Sequence, residues 1–268
     1  MNVQSVLDPL KLYLLDMDGT LYLGDQLFSY TPAFLDAIKS IGGRYLFMTN
    51  NSSKSVSDYI LKLKKLGIDA SYDDFITSSQ ATAYYLKKHH PQKKLYVCGT
   101  ASFQKELTEN GFEVTSDLSD VECVVMGFDT ELTFQKLHDV SYLLTTRPEI
   151  PYIASNPDLV CPTEFGSVPD CGSVCQMIYN ATGKRPVVIG KPSALMPQLA
   201  MDRWGYTQDQ TCVVGDRIYT DIKSGLNAGI TTILVMSGET TESILQSSSD
   251  KPHLVLQNVS QITKAITK

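Results

Sequence analysis

Four short apolar runs, each ending abruptly in a polar cluster, constrain this chain more than any other feature. Leu12-Tyr13-Leu14-Leu15 runs straight into Asp16-Met17-Asp18-Gly19-Thr20. The run from Arg44 ends in Thr49-Asn50-Asn51-Ser52, and Val187-Val188-Ile189 ends in Gly190-Lys191-Pro192. Thr211-Cys212-Val213-Val214 ends in Gly215-Asp216-Arg217, with Asp221 five residues past Asp216. Short unbroken apolar runs of this kind read as strands covered on both faces. Further strands are expected at 95–98, 122–126, 152–155, 231–235 and 254–256. Helical patterns separate them. One starts near 32, with Thr31 as N-cap, Pro32 at its first position and Gly42-Gly43 at its end. Another follows Ser55 and places Val56, Tyr59, Ile60, Leu63 and Leu66 on one side before Gly67. Others are expected at 79–89, 101–110, 132–145, 172–182, 194–204 and 219–228. Pro197, in the first turn of its helix, is a local cost with no explanation in the sequence.

Strands alternating with helices predict an α/β fold built on a parallel sheet. Ligands of such sheets bind outside the carboxyl ends of the strands, so all four polar clusters are expected in one crevice. The middle series carries no comparable cluster and reads as an insertion. The expected organisation is a core of residues 1–80 and 184–268, with 81–183 forming an αβ cap.

The chemistry of the clusters points to phosphoryl transfer, which needs a nucleophile, neutralisation of the phosphate oxygens and a proton for the leaving group. Asp16 suits nucleophilic attack, and its second oxygen suits Mg²⁺, a cation that favours oxygen ligands. Asp18 is placed to protonate the departing alkoxide and then to activate water. Thr49 can donate its hydroxyl to phosphate, and the main-chain N–H groups around Asn50 and Asn51 extend that cradle. Lys191 offsets the negative charge, Asp216 completes the metal site, and Asp221 orients Lys191 or a metal-bound water.

Composition narrows the class of partner. A net charge of -6 and a pI near 5.2 argue against nucleic acid. No apolar run is long enough to span a membrane. Met1 to Pro9 lacks a basic segment followed by an apolar one, so no secretory signal is expected and the cytoplasm is the expected location. Cys98, Cys123 and Cys212 lie in apolar runs as small core residues. Cys171 and Cys175 have no third ligand in reach of their spacing, so neither zinc nor a disulfide is expected.

The four clusters in this order resemble the motifs of the haloacid dehalogenase-like (HAD) hydrolase superfamily. Asp16 to Leu21 matches its first motif, Thr49 its second, Lys191 its third, and Gly215-Asp216 through Asp221 its fourth. Thr49-Asn50-Asn51-Ser52, Asn156-Pro157-Asp158, Gly190-Lys191-Pro192 and Gly215-Asp216-Arg217-Ile218-Tyr219-Thr220-Asp221 are similar to subfamily IIA, the p-nitrophenyl phosphatase or NagD-like branch. The resemblance implies a Rossmann-like core with an inserted C2-type αβ cap after the second motif. It also implies that Asp18 binds the metal through its main-chain carbonyl, leaving its carboxyl free. An acid at Asp18 is absent from the pumps and dehalogenases of the superfamily, and an αβ cap is unlike that of its mutases. The implied activity is therefore Mg²⁺-dependent hydrolysis of a small phosphorylated metabolite through an aspartyl-phosphate. Sugar phosphates, nucleoside monophosphates, phosphoglycolate, pyridoxal phosphate and p-nitrophenyl phosphate all fit. Substrate contacts are expected from the cap, with Asp129, Asn156, Asp158 and the loop from Gly166 to Gly172 as candidates. The cap is also the expected surface for a homodimer. Pro169-Asp170-Cys171-Gly172-Ser173 departs from the glycine-rich turn common in the branch, so specificity does not carry over. A phosphometabolite sensor and a phosphotransferase to a second substrate are the alternatives.

Overall fold

Every side chain of Leu12–Leu15 is buried, as a strand covered on both faces requires. The structure, a computed structural model, describes residues 3–163 and 165–267. The first two residues of the Met1 to Pro9 segment thus lie outside the described residues. Its strands in chain order are β1 (Leu12–Leu15), β2 (Tyr22–Leu23), β3 (Gln26–Leu27), β4 (Arg44–Thr49), β5 (Phe75–Thr77), β6 (Leu95–Cys98) and β7 (Cys123–Met126). There follow β8 (Tyr152–Ala154), β9 (Val160–Thr163), β10 (Gly166–Pro169), β11 (Val187–Val188), β12 (Thr211–Gly215), β13 (Thr231–Val235) and β14 (Leu254–Leu256). The α-helices are α1 (Val3–Leu7), α2 (Thr31–Ser40), α3 (Val56–Lys65), α4 (Ser78–His89), α5 (Ala101–Glu109) and α6 (Phe134–Thr146). The remainder are α7 (Cys171–Thr182), α8 (Leu195–Trp204), α9 (Lys223–Ala228), α10 (Glu242–Ser247) and α11 (Ser260–Ile266). No helix is long and apolar enough to cross a membrane among the described residues.

The chain divides into two compact units. Met1–Thr49, Ile60–Ile76 and Lys191–Lys268 make the first, and Asn50–Tyr59 with Thr77–Gly190 make the second. The first unit holds a six-stranded sheet in the order β14-β13-β12-β1-β4-β5. β1 pairs in parallel with β4 and β12, β12 with β13, and β13 with β14. From β1 the chain builds outward through β4 and β5, then returns to β1's other side with β12 and continues outward to β14. The strand order therefore reverses at β1/β12, where the connecting loops diverge and leave a crevice. Asp16 directly follows the last residue of β1, and Asp216 the last residue of β12.

Two local expectations change in this unit. Tyr30, not Thr31, is the N-cap of α2. Thr31 is the first helical residue; it is buried and donates its hydroxyl to the Leu21 carbonyl at 2.6 Å. Pro197 is the third residue of α8, whose N-cap is Ala194. The first-turn N–H groups have no intrahelical acceptor, so its ring removes no hydrogen bond. At the other end of α8, the guanidinium groups of Arg44 and Arg203 lie 4.8 and 4.4 Å from the centre of the Trp204 ring.

The second unit has its own sheet, ordered β11-β8-β7-β6 and parallel throughout. Its core joins β7 and β8 residues Val124, Met126 and Ala154 with Val140 and Leu143 of α6 and Val174 and Ile178 of α7. β11 belongs here, with Val187 opposite Ile153 and Val188 opposite Ala154. The expectation that the strand before Lys191 joins the same sheet as β1 is thus corrected. Apolar character marks a strand but does not say which open sheet edge it completes. Residues 50–59 also cluster with this unit. The Ser52 hydroxyl is 2.8 Å from that of Ser155 and accepts the Phe128 N–H at 2.8 Å, while Thr100 donates to the Ser53 carbonyl. The unit limits thus fall at 76/77 and 190/191, where the sequence suggested 80/81 and 183/184. The Cys171 and Cys175 sulfurs stand 3.9 Å apart, and no disulfide is formed among the described residues.

Glu106 is an anomaly in this packing. It lies on α5 with 4% exposure, and neither carboxylate oxygen has a hydrogen-bond partner among the described residues. Burial, with Glu109 and Asp58 adding repulsion, pushes its carboxyl up to about 7. A carboxyl raised on folding favours the folded state while protonated, and that contribution is lost as pH rises through the folded value. Glu106→Gln should therefore gain stability over the parent between pH 5 and pH 8 by roughly 2–3 kcal/mol, read by urea unfolding at the two pH values. Parallel stability curves for the two proteins would contradict this.

Candidate active site

The site is built from strand ends of the first unit. Asp16 N–H donates to the Val214 carbonyl at 2.9 Å, extending the β1/β12 ladder by one residue and fixing the Asp16 main chain. Asp216 and Asp221 follow β12, the latter inside a π-helical turn, Ile218–Ile222. The helix expected at 219–228 is therefore this turn continued by α9. Lys191, only 3% exposed, reaches all three strand ends. Its ammonium donates to Asp16 Oδ1 at 2.7 Å, to Asp221 Oδ1 at 2.6 Å and to the Met48 carbonyl at 3.2 Å. The other Asp221 oxygen accepts the Arg217 N–H at 3.0 Å.

Close packing leaves glycine as the residue of choice around these carboxylates. Gly19, with φ +88°, would carry a Cβ 2.5 Å from Asp216 Oδ2, and a Cβ on Gly215 would lie 2.4 Å from the Asp221 side chain. Asp18 stands apart. Its residue is exposed, and among the described residues its carboxylate accepts a long contact from Gly24 N–H, 3.4 Å, in the β2/β3 turn. Thr49 closes β4 and is buried.

Carboxylate oxygens of Asp16, Asp216 and Asp221 lie within 4.8 Å of one another. Three acids face the buried Lys191 ammonium, and the Arg217 guanidinium near them is itself paired with Glu239, so negative charge is in excess in a poorly solvated place. The acids and the ammonium shift one another's proton affinities. Burial pushes the Asp16 carboxyl up to about 8; Lys191 opposes the rise, and Asp221 and Asp216 add to it. Burial and Asp221 push Asp216 up to about 6. For Lys191 burial acts downward, but Asp16 and Asp221 outweigh it and hold the ammonium above the usual lysine range. Asp216 Oδ1 is buried with no hydrogen-bond partner among the described residues. An all-oxygen donor set with an unused buried carboxylate oxygen fits a hard divalent cation such as Mg²⁺.

The remaining sequence candidates belong to the second unit and are engaged there. Asn50 donates its amide to Asp158 Oδ2 at 2.8 Å, and the Asn50 carbonyl accepts from Asn156 Nδ2 and the Ser78 hydroxyl. Asn51 Oδ1 accepts the N–H and hydroxyl of Ser53. Asp129 accepts the Glu131 N–H and pairs with Lys136 at 2.7 Å, its side chain 1% exposed. Each side chain expected as a substrate contact, Asp129, Asn156 and Asp158, has at least one partner inside the second unit. Asn156 Oδ1 is buried with no hydrogen-bond partner among the described residues.

A further strand end contributes that the motifs did not indicate. After β13, Ser237 donates its hydroxyl to the Gly19 carbonyl at 2.7 Å, and Glu239 N–H donates to Asp216 Oδ2 at 2.6 Å. The available signal was positional: Ser237-Gly238-Glu239 is a polar cluster following an apolar strand, like the other clusters.

Comparison with known proteins agrees with this geometry. A family model described as haloacid dehalogenase-like hydrolase matches residues 13–113, and a second, HAD-hydrolase-like model matches 188–262. An acid sugar phosphatase of Staphylococcus epidermidis is 35% identical over 240 residues, covering 90% of this chain and 92% of its own. The crystal structure of a 4-nitrophenylphosphatase from Thermotoga maritima superposes with a TM-score of 0.93 at 38% identity, covering 97% of this chain and 99% of that one. A glycerol phosphate phosphatase from Mycobacterium tuberculosis, solved in complex with magnesium, gives a TM-score of 0.87 at 26% identity. There 97% of this chain and 77% of that one are covered.

Removing one partner of a buried charge cluster leaves the others uncompensated. Lys191→Met should cost about 3–5 kcal/mol of stability in chelator, measured by urea unfolding at neutral pH. A loss below about 1 kcal/mol would mean that the ammonium is not what balances Asp16 and Asp221.

Proposed function

The chain belongs to the haloacid dehalogenase-like hydrolases, and we propose that it is a Mg²⁺-dependent phosphatase of small phosphomonoesters working through an aspartyl-phosphate on Asp16. The observation that carries this is the contrast between two acids two residues apart. Asp16 is held by Lys191 beside the unused oxygen of Asp216, whereas Asp18 stays exposed with its carboxyl largely uncommitted.

In the proposed reaction an Asp16 carboxylate oxygen attacks phosphorus, and the bond from phosphorus to the ester oxygen breaks. Asp18 delivers its proton to the leaving alkoxide and becomes a carboxylate. It then takes a proton from a water that attacks the same phosphorus, freeing inorganic phosphate and restoring Asp16. Thr49 and the N–H groups around Asn50 hold phosphate oxygens. Lys191 lowers the cost of gathering negative charge and keeps the Asp16 oxygen in place. Asp16, Asp216 and the Asp18 carbonyl would hold Mg²⁺, with Asp221 behind them, and the cation would supply charge neutralisation at the phosphoryl group. The second unit is assigned as the cap that selects the organic part of the substrate. The names of the relatives, acid sugar phosphatase and 4-nitrophenylphosphatase, favour sugar and aryl phosphates as the first compounds to try.

The test is phosphate release from a panel of phosphomonoesters with Mg²⁺ and with chelator. Turnover should require the cation, and Asp16→Asn should reduce it at least about a thousandfold. Binding of phosphometabolites with no release from any would point to a sensor, and transfer to an added alcohol or sugar to a phosphotransferase.

Asp18→Asn separates the acid role from general damage. p-Nitrophenolate leaves without help, whereas a sugar alkoxide needs a proton. In single-turnover experiments the variant should lose about tenfold or more extra rate on a sugar phosphate relative to p-nitrophenyl phosphate. Equal losses on both would remove Asp18 from the acid role.

A further inference from the structure

We propose that Glu239 is a positioning residue for the cation-binding carboxylate of Asp216. The inference rests on the assignment of Asp216 as a ligand of the divalent cation. Glu239 sits in the loop after β13 and touches the segment after β12 at three points. Its N–H donates to Asp216 Oδ2 at 2.6 Å. Its carboxylate accepts from Arg217 Nε at 2.9 Å through one oxygen and from the Tyr219 hydroxyl at 2.9 Å through the other.

These contacts form a clip. Arg217 and Tyr219 lie between Asp216 and Asp221, so the Glu239 side chain fastens its own loop to the segment carrying both acids. The fastening keeps the Glu239 N–H on Oδ2, and a carboxylate held through Oδ2 leaves Oδ1, the buried and unpartnered oxygen, for the cation. The loop also approaches too closely to be a loose neighbour. A Cβ on Gly238 would lie 2.0 Å from Asp216 Oδ2, so a small movement of the loop must turn the carboxylate. Thr240 N–H reinforces the contact by donating to the Asp216 carbonyl at 3.3 Å. Outer groups of this kind orient a ligand without touching the ion.

The Glu239 side chain is 42% exposed, so its ion pair contributes little to folding. That separates a positioning role from a structural one. The test is Mn²⁺ binding to the full chain after chelator treatment, with free Mn²⁺ read by its electron paramagnetic resonance signal. Glu239→Gln should raise the Mn²⁺ Kd about tenfold, with the metal-free melting temperature shifted by less than about 4 °C. Glu239→Asp should recover part of the loss, and Tyr219→Phe, which removes one arm of the clip, should raise Kd about twofold. A wild-type Kd in Glu239→Gln would overturn the inference and leave the cation site standing. Should Glu239→Gln fail to fold, an unchanged Kd in Tyr219→Phe would overturn it equally. Failure of the wild-type chain to bind Mn²⁺ would overturn the cation assignment and the inference with it.

Discussion

One buried ammonium organises the polar centre of the first unit. Lys191 reaches the ends of three strands at once, through Asp16 after β1, the Met48 carbonyl in β4 and Asp221 after β12. Without it, two adjacent carboxylates would sit in poorly solvated surroundings with only the Arg217 guanidinium, itself paired with Glu239, as nearby counter-charge. The gain is geometric more than energetic. Desolvating the three charges consumes most of their mutual attraction, and what remains is a unique arrangement of strand ends. The excess negative charge that Lys191 cannot balance is then the driving force for a cation.

Asp216 shows how backbone approach completes the arrangement. Gly19 and Gly238 both come so near its carboxylate that a side chain at either position would collide with it. The turn after β1 and the loop after β13 thereby meet on one carboxylate, joined also by the hydrogen bond from Ser237 to Gly19. Strand ends distant in the sequence become a single rigid surface because two residues lack a Cβ. This is a division of labour: Lys191 sets charge, and glycine sets distance.

Much of this was legible in the residue order. The runs before Asp16, Thr49 and Asp216 become buried strands of one sheet, because an apolar run bounded by polar residues has few other uses. Cys98, Cys123 and Cys212 pack as small apolar groups for the same reason. Less legible was which sheet a strand joins. Val187–Val188 pairs with β8 through main-chain hydrogen bonds, and these carry no trace in side-chain pattern. The internal partners of the second unit's polar groups were hidden for a related cause. Asp129 pairs with Lys136 and Asp158 accepts from Asn50, partners that the residue order does not reveal. The β9/β10 hairpin, with Pro162 and Pro169 inside its strands, breaks the composition expected of a strand. Glu239 escaped notice because its N–H and its carboxylate both meet partners after β12, which the order of residues does not bring together.

The packing of Trp204 carries an optical consequence. It is the chain's single tryptophan, it belongs to the first unit, and two guanidinium groups cover its ring. Indole emission therefore reports on the first unit alone, while Tyr96, Tyr152 and Tyr179 of the second contribute only the weaker phenol signal. Selective excitation of the indole, set beside far-ultraviolet dichroism that averages over the whole chain, distinguishes a molecule whose two units melt together from one whose units melt in turn.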